Sequence, residues 1–471
     1  MPNTLRMPGR GRVQFSYRQP ATWPWRWMGL TTSRVASYEG SIDEDGRPHG
    51  YGTWQDSAPR GENLQGLWEH GVPCGPFSSS ESETGHGFSC LHMAVVHNRA
   101  EPWDQKFWRP VRSGTGLSWG LVSVEACFAG GFFRHLPEAL LFEPLSTSGS
   151  ATKCVQMLAS SVPRQPPKVA VPFEAIVYIH GFASSLQEAT LPFGQLLALA
   201  DLPAHLKPFV FSWPCGHYLS YFAATRCGES AEVAADLCAF FQGLQDAGCS
   251  AVHVIAYSLG AHLLLSSLPW IEGKFRRAPG APMGGGCLGG GGGANASLRL
   301  ATVMLMSPDH PLEQFVNVDY YSLRAICDCI TLYADEQDVA LAIGEAFKRE
   351  KGLSRYPFAL VHAAEGAGEE EPSEESKGGL ERGSQGSSSL HVRPLDLDVI
   401  NTSFLDDNVP QLRHINLPAN VHVVDDLRDI VTMRLRASER RRTSRMIRLG
   451  RAANVYSFLA APNHVSQDGL T

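Results

Sequence analysis

Short apolar runs alternate with longer stretches of helical spacing through most of the chain. The runs are rich in β-branched and aromatic residues, as strands are, and they cover residues 175–179, 208–212, 251–256, 301–306, 330–333 and 396–400. The helical stretches between them include residues 191–202, 230–245 and 260–268. This alternation predicts a mostly parallel sheet covered by helices on both faces. In such sheets, functional side chains lie at the carboxyl ends of the strands. The residues just after each run are therefore the candidates for catalytic or binding roles.

A serine stands at a sharp turn after the third run. Ser258 separates that run from a helical stretch, with Ala256 two positions before it and Gly260 two positions after it. A nucleophilic serine on a strand–turn–helix needs small residues at both positions, because the strained turn crowds them against neighbouring strands. Ser258 is therefore the candidate nucleophile. The alternative is a structural serine that caps the helix.

Two backbone amides are placed to bind a developing oxyanion. The amide of Leu259 directly follows the serine, and the amide of Phe182 follows the first run in a His-Gly-Phe turn. Acyl transfer needs such donors aimed at the reacting carbonyl oxygen. We interpret His180 of the same turn as a buried histidine that satisfies loop backbone.

A serine hydroxyl also needs a histidine base and a carboxylate that orients it, and in this arrangement both come later in the chain. Asp338 lies in the loop after the fifth run and is the preferred acid. Asp335 in the same loop and Asp309 after the fourth run stay open as alternatives. His414 lies in the loop after the last run, and we prefer it as the base to His422, which stands in the run into a helix.

Six blocks in a fixed order carry a family resemblance: VYIHGF, FSWP, the turn at Ser258, LMSPD, ITLYADEQDVAL and LRHINLPANVHVVDDL. They resemble a family of α/β-hydrolases of unknown function that is widespread in bacteria and found in protists. The resemblance covers about residues 170–430. It implies the α/β-hydrolase fold, and the family's motif carried over by position implies Ser258, Asp338 and His414 as the catalytic residues. Asn420 matches an asparagine of the same motif.

The chain departs from the family pattern at three positions near the predicted site. Cys215 stands where the family has serine after Trp-Pro, Arg413 replaces the glycine before the histidine, and Asn416 replaces a tyrosine after it. None of the three removes a predicted catalytic residue. The departures leave open a protein that keeps the fold without the activity.

Glycines and aromatic residues recur at regular spacing in residues 37–80. Two units, beginning at Tyr38 and Leu64, resemble MORN repeats with imperfect motifs. The pattern predicts a small β-hairpin segment, and the resemblance implies contact with a protein or a membrane surface. A plain β-hairpin cover without a partner is the alternative.

The composition excludes some classes of function and indicates which regions are flexible. Residues are 43% hydrophobic and 18% charged, which predicts a globular protein, and the net charge of −7 does not favour nucleic acid as a partner. The 11 scattered cysteines form no CxxC pair, so we expect no metal, no cofactor and a reducing, cytoplasmic location. Residues 278–297 and 364–390 are small or polar, and we predict that they are flexible insertions.

Basic residues are concentrated near both ends. Residues 1–36 contain six arginines and no acidic residue, which predicts a disordered tail, with organelle targeting as the alternative. Residues 433–451 contain eight arginines, which predicts a basic helix exposed to solvent, or one that meets a membrane or partner. No apolar stretch is long enough to predict a membrane span.

Together these patterns predict a serine hydrolase domain in residues 100–460. Its substrate is expected to be a small-molecule or lipid acyl compound, cleaved through an acyl-enzyme. The alternative is a catalytically inactive scaffold that binds a protein or a membrane through the MORN-like repeats and the basic helix.

Overall fold

A computed structural model describes most of the chain. The described residues are 9–20, 31–43, 46–56, 63–69, 72–73, 78–79, 88–99, 113–127, 132–135, 142–143, 147–160, 173–200, 202–203, 205–216, 220–277, 298–362, 393–405, 413–414, 420–440, 446–449 and 454–458. The two predicted flexible insertions, residues 278–297 and 364–390, lie outside these ranges.

The first sheet is antiparallel. Within the described residues it holds six strands: β1 (Gly9–Pro20), β2 (Thr31–Ile42), β3 (Pro48–Asp56), β4 (Asn63–Glu69), β5 (Val72–Pro73) and β6 (Ser78–Ser79). β1 pairs with β2 over its whole length, from Gly9 opposite Ile42 to Pro20 opposite Thr31. The prediction of a disordered tail over residues 1–36 is therefore wrong for residues 9–20 and 31–36. Alternating apolar residues in β1 have strand periodicity, which the basic composition obscured.

Aromatic side chains over glycines form the interior of this sheet. Tyr38, Trp54 and Trp68 are all buried. The Trp54 and Trp68 rings stack with centroids 5.8 Å apart, and Tyr38 meets Trp68 edge-on at 5.2 Å. A side chain at Gly52 would collide with the Tyr38 ring, which explains why glycine faces an aromatic residue here. The β-hairpin architecture predicted for residues 37–80 is present in the part of this segment that the structure describes, and the likeness to MORN repeats stays a prediction.

The second sheet is large and mostly parallel. Its described strands are β7 (Phe88–Arg99), β8 (Ser113–Cys127), β9 (Phe132–His135), β10 (Phe142–Glu143), β11 (Phe173–Ile179), β12 (Leu206–Ser212), β13 (Cys249–Tyr257), β14 (Arg299–Met306), β15 (Cys327–Ala334), β16 (Asp398–Asn401), β17 (Met446–Arg448) and β18 (Val455–Phe458). Their order is β10-β8-β7-β12-β11-β13-β14-β15-β16-β18-β17, with β9 paired to β8. All neighbours from β7 to β18 in this order are parallel. Since β7 belongs to this sheet, the predicted start of the domain at residue 100 is too late.

Helices cover both faces of the large sheet. Their described bounds are α1 (Thr147–Ser160), α2 (Leu186–Ala200), α3 (Tyr221–Gly228), α4 (Ala231–Asp246), α5 (Leu259–Ser266), α6 (Leu268–Ile271), α7 (Leu312–Gln314), α8 (Tyr320–Ile326), α9 (Val339–Lys348), α10 (Val421–Met433) and α11 (Ala437–Arg440). Alternate residues of a strand point to opposite faces. Val177 and Val254 accordingly join the core that contains α4 and α5, while Tyr178 and Ile255 join the core that contains α2 and α10. The predicted layered α/β architecture is confirmed.

The basic segment of residues 433–451 is not one helix. α10 ends at Met433, and after it come the four-residue helix α11 and the strand β17. The prediction of a solvated basic helix fails because two of its arginines bind buried carboxylates. Arg440 is fully buried and donates to Asp426 over 2.6 Å, and Arg436 donates to Asp398 over 3.0 Å. None of the helices in the described ranges combines the length and the apolar composition that a bilayer crossing requires.

Candidate active site

Ser258 sits on a strained turn between β13 and α5. Its φ of 53° and ψ of −123° lie outside the regions that non-glycine residues favour. Two backbone hydrogen bonds hold this conformation: the Ser258 amide donates to Met306 over 2.9 Å, and the Asp309 amide donates to the Ser258 carbonyl over 3.1 Å. Strain of this kind persists only where the surroundings enforce it, and it clusters at functional sites.

The residues around the turn are packed too closely for larger side chains. A Cβ at Gly260 would collide with the carbonyl oxygens of Ile179 and His180 at the end of β11. A Cβ at Gly181 would lie 2.9 Å from the Ser258 Cβ. The small residues that the sequence places around the serine are therefore required by the contact between the turn and the loop after β11.

Three predicted side chains form a continuous hydrogen-bonded row. Nε2 of His414 lies 2.8 Å from Oγ of Ser258, and Nδ1 of His414 lies 2.7 Å from Oδ2 of Asp338. The other carboxylate oxygen of Asp338 accepts the Leu341 amide at 2.9 Å and so caps α9. Asp338 is fully buried, whereas 18% of the His414 side chain is exposed. The three residues come together because each follows the carboxyl end of a strand of the parallel sheet.

The imidazole of His414 also packs against an aromatic ring. The Tyr257 ring centroid lies 5.1 Å from that of His414. Burial raises the pKa of the Tyr257 hydroxyl well above its usual range, and the nearby Asp338 charge raises it further. Tyr257 therefore stays neutral and restricts the orientation of the imidazole without competing for its proton.

The alternative candidates bind other partners. Asp335 accepts from Arg413 over 3.1 Å, and Asp309 accepts from Lys348 over 2.9 Å and from a tyrosine hydroxyl over 2.7 Å. The ring of His422 stacks on Phe458. The structure therefore brings Asp338, and not the other two carboxylates, to the imidazole that contacts Ser258. Asn420 of the family motif caps α10 by accepting the His422 amide.

Arg413 anchors the loop that carries His414, a role that the sequence reasoning missed. Its φ is 52°, in the left-handed region that favours glycine, which gives a physical reason for the family's glycine at this position. The guanidinium donates to Asp335 and to the carbonyl oxygens of Ser403 and Leu405, at 2.9 and 3.2 Å. The departure from glycine was the one sequence signal that pointed to this residue.

Cys215, the second departure from the family, anchors the loop of the candidate oxyanion donor. The Ser184 amide donates to its sulfur over 3.2 Å, the thiol donates to the Ser184 carbonyl over 3.3 Å, and its carbonyl accepts the Ala183 amide over 3.3 Å. Burial raises the pKa of the Cys215 thiol, so it keeps the proton that it donates. Ala183, directly after Phe182, has a φ of 52°, and these contacts hold that conformation.

His180 lies beneath the same loop and is fully buried. Its Nε2 is 2.8 Å from Arg99, whose guanidinium must donate, so Nδ1 carries the proton and donates to Gly181 over 2.9 Å. Burial and the Arg99 charge hold its pKa well below the usual range. His180 thus stays neutral and supports loop backbone, as predicted. Within the described ranges, no group of three or more His, Cys, Asp or Glu side chains is arranged to hold a metal ion.

The comparisons with known proteins agree with this architecture. The model of a family described as "Alpha/beta hydrolase of unknown function (DUF900)" matches residues 168–355. The match contains Ser258 and Asp338 and ends before His414. No curated protein and no solved structure matches the chain. The match and the helix-covered parallel sheet together give the chain an α/β-hydrolase fold, and the match supports a hydrolase.

Proposed function

We propose that the protein is a serine hydrolase that cleaves carboxylic esters or related acyl compounds through an acyl-enzyme. The observation that carries the proposal is the pair of hydrogen bonds from Ser258 to His414 and from His414 to Asp338, on a strained turn. Each member has the geometry that its role requires, since a general base must lie within hydrogen-bond reach of the proton that it takes.

In the first half of the reaction Ser258 is acylated. Oγ attacks the carbonyl carbon of the substrate while Nε2 of His414 takes the hydroxyl proton. Nδ1–H of the imidazole donates to Asp338, which holds the tautomer and stabilises the imidazolium that forms. The tetrahedral intermediate then collapses, the bond to the leaving group breaks, and His414 returns the proton to that group.

The candidate oxyanion donors are the amides of Leu259 and Phe182. Leu259 is the first residue of α5, where backbone N–H groups have no partner within the helix. The close packing of Gly181 against Ser258 supports a donor from the loop after β11. Preorganised donors of this kind supply a large part of the rate enhancement of acyl transfer.

In the second half water regenerates the enzyme. His414 takes a proton from water, whose oxygen bonds to the acyl carbon, and the ester bond to Ser258 breaks as Oγ recovers the proton. The exposed edge of His414 supports this step, because water reaches the imidazole while Asp338 stays buried. No step draws on a group outside this chain other than the substrate and water.

Labelling with a fluorescent fluorophosphonate tests the proposal. The reagent phosphonylates a serine that a neighbouring base has activated. We expect the full-length protein to be labelled, and labelling to be lost in Ser258→Ala and in His414→Ala. His422→Ala is the matched control for the histidine and should be labelled as the wild type is.

The folded state of each variant is checked by its melting temperature. If the folded wild type is never labelled, the proposed hydrolase is overturned, and the inactive scaffold becomes the better account. The segment of residues 37–80 would then be the first bait for a binding partner.

A further inference from the structure

The outer face of α9 is apolar, unlike that of a typical surface helix. Val339, Ile343 and Phe347 follow one another at intervals of four residues, so they lie along one stripe. Their exposed fractions are 42%, 50% and 66%. A surface helix normally turns its polar face to solvent and buries its apolar face. Exposed patches of large apolar side chains mark sites that bind a partner or a membrane.

Two further exposed phenylalanines lie near the ends of α9. Phe222 of α3 is 56% exposed and meets the Phe347 ring edge-on, with centroids 6.5 Å apart. Phe404 is 60% exposed and follows Ser403, whose hydroxyl accepts the Glu336 amide just before α9. We call these five residues the apolar row: Phe222, Val339, Ile343, Phe347 and Phe404.

Both ends of α9, which carries three residues of the apolar row, are joined to the candidate active site. At one end, Asp338 caps α9 and contacts His414. At the other end, Lys348 of α9 binds Asp309, whose amide holds the carbonyl of Ser258. The helix that carries the exposed stripe is therefore fixed to the candidate active site at both of its ends.

Charge at the end of α9 complements an anionic surface. Residues 348–351 are Lys-Arg-Glu-Lys, and because Lys348 pairs with Asp309, Arg349 and Lys351 against Glu350 leave a net charge of +1 at this end. The last three of them are exposed. Apolar side chains that insert among acyl chains, next to basic side chains that meet the headgroups, are the combination by which proteins bind a lipid interface. The five side chains of the apolar row carry no hydrogen-bonding group, so they offer nothing to a polar partner.

We propose that the apolar row docks the protein on the surface of anionic lipid membranes, with Ser258 facing lipid esters there. The choice of substrate class rests on the proposed hydrolase, and the docking surface does not. Insertion of the row removes its apolar area from water, and the basic end of α9 strengthens binding to anionic headgroups.

Vesicle binding without turnover tests the docking surface. Full-length Ser258→Ala is mixed with vesicles of phosphatidylcholine and phosphatidylserine and sedimented. We expect binding, and we expect the added changes Ile343→Ser and Phe347→Ser to weaken it by about tenfold or more, because two apolar side chains that enter the lipid are lost. Leu199→Ser is the control, since Leu199 is an exposed leucine on a different helix, α2. It should bind as Ser258→Ala does.

The proposal is overturned if Ser258→Ala does not bind vesicles, or if the variant with Ile343→Ser and Phe347→Ser added binds equally well. It is also overturned if the protein forms concentration-dependent dimers that these two changes abolish, because the row would then bind a second copy of the chain. The melting temperature of that variant shows whether it folds. The substrate class is tested separately, by hydrolysis of long-chain esters in vesicles by protein with Ser258 intact. If vesicles bind but nothing is hydrolysed and no fluorophosphonate label appears, the hydrolase fails while the docking surface stands.

Discussion

The two carboxylate oxygens of Asp338 contact different parts of the chain, and Oδ2 lies 2.7 Å from Nδ1 of His414. The other accepts the Leu341 amide at the start of α9. The same side chain therefore orients the imidazole and fixes the helix. Because the two contacts fall on separate oxygens, substitutions can remove one and keep the other.

We expect Asp338→Asn to separate these two roles. The remaining side-chain oxygen of the amide can still accept the Leu341 amide, so the melting temperature should stay near that of the wild type. The amide cannot stabilise an imidazolium and favours the wrong tautomer, so kcat should fall by about 10⁴-fold. Steady-state kinetics on a soluble acyl ester and thermal unfolding measure the two effects.

Asp338→Ala is the paired comparison. It loses the cap as well, which should cost about 1 kcal/mol of unfolding free energy. If Asp338→Asn kept kcat within about tenfold of the wild type, the loss would be far too small for the orienting acid, and this assignment would be wrong.

The second prediction concerns Arg413. Its backbone conformation is unfavourable, and the contacts of its side chain offset that cost. Its left-handed φ costs roughly 1 kcal/mol relative to glycine. Arg413→Ala keeps that cost and loses the contacts to Asp335 and to the two loop carbonyls, while Arg413→Gly loses the contacts and also removes the cost. We expect both variants to lower kcat with little change in KM, since the guanidinium binds Asp335 and loop carbonyls and acts through the loop that carries His414. Alanine should be less stable than glycine by roughly 1 kcal/mol.

Chemical denaturation and kcat against KM measure these effects. Arg413→Lys is the conservative variant, and it should restore part of the stability through Asp335 but not the contacts to both carbonyls. A variant with unchanged kcat and lowered stability would show that Arg413 has a structural role only.

The core of the fold could be predicted because its signals are local. The six predicted core strands all appear, and each observed strand overlaps its predicted run. The turn at Ser258 was also predicted, since an apolar run, a serine and Gly260 lie within a few residues of one another. Strand β1 was missed because arginines and prolines dominated the composition of the first residues.

Contacts between distant parts of the chain could not be predicted in the same way. Asp309, Asp335 and Asp338 all follow strands, and their spacing alone could not show which one meets the imidazole. The anchoring by Cys215 and Arg413 depends on contacts with other loops, so the family pattern marked both positions only as departures. The burial of Arg440 depends on Asp426 and Asp398, which no periodicity in the basic segment reveals.

Cys215 gives the third prediction. Cys215→Ser restores the residue usual in the family and keeps a side chain that can accept the Ser184 amide and donate to its carbonyl. Cys215→Val has a similar volume and can do neither, so the loop that carries Phe182 loses an anchor. We expect valine to lower kcat more than serine does, because the candidate oxyanion donor moves while the nucleophile stays in place. Equal kcat values for the two variants would show that the anchoring of this loop by residue 215 does not affect catalysis.

Buried histidines lead to the last prediction, which concerns stability against pH. Burial lowers the pKa of His97 to about 4, and burial with its histidine neighbour lowers the pKa of His262 to about 3. In the unfolded chain both return to about 6.5. Below that pH the unfolded state binds more protons than the folded state. The free energy of unfolding should therefore fall as the pH drops from about 6.5 towards 4, by up to about 1.4 kcal/mol per pH unit for each histidine.

Urea unfolding at a series of pH values measures this slope. Nδ1 of His262 lies 2.9 Å from Nδ1 of His310, and its Nε2 lies 3.0 Å from Glu229. The change His262→Gln removes one titrating group and keeps a side chain that can make polar contacts. We expect the variant to be less stable at neutral pH but to lose stability less steeply on acidification. His205→Gln, at an exposed position, is the control for replacing a histidine by glutamine. A wild-type stability that stayed constant from about pH 6.5 to about pH 4.5 would mean that these histidines are protonated in the folded state, contrary to the burial that the fold imposes on them.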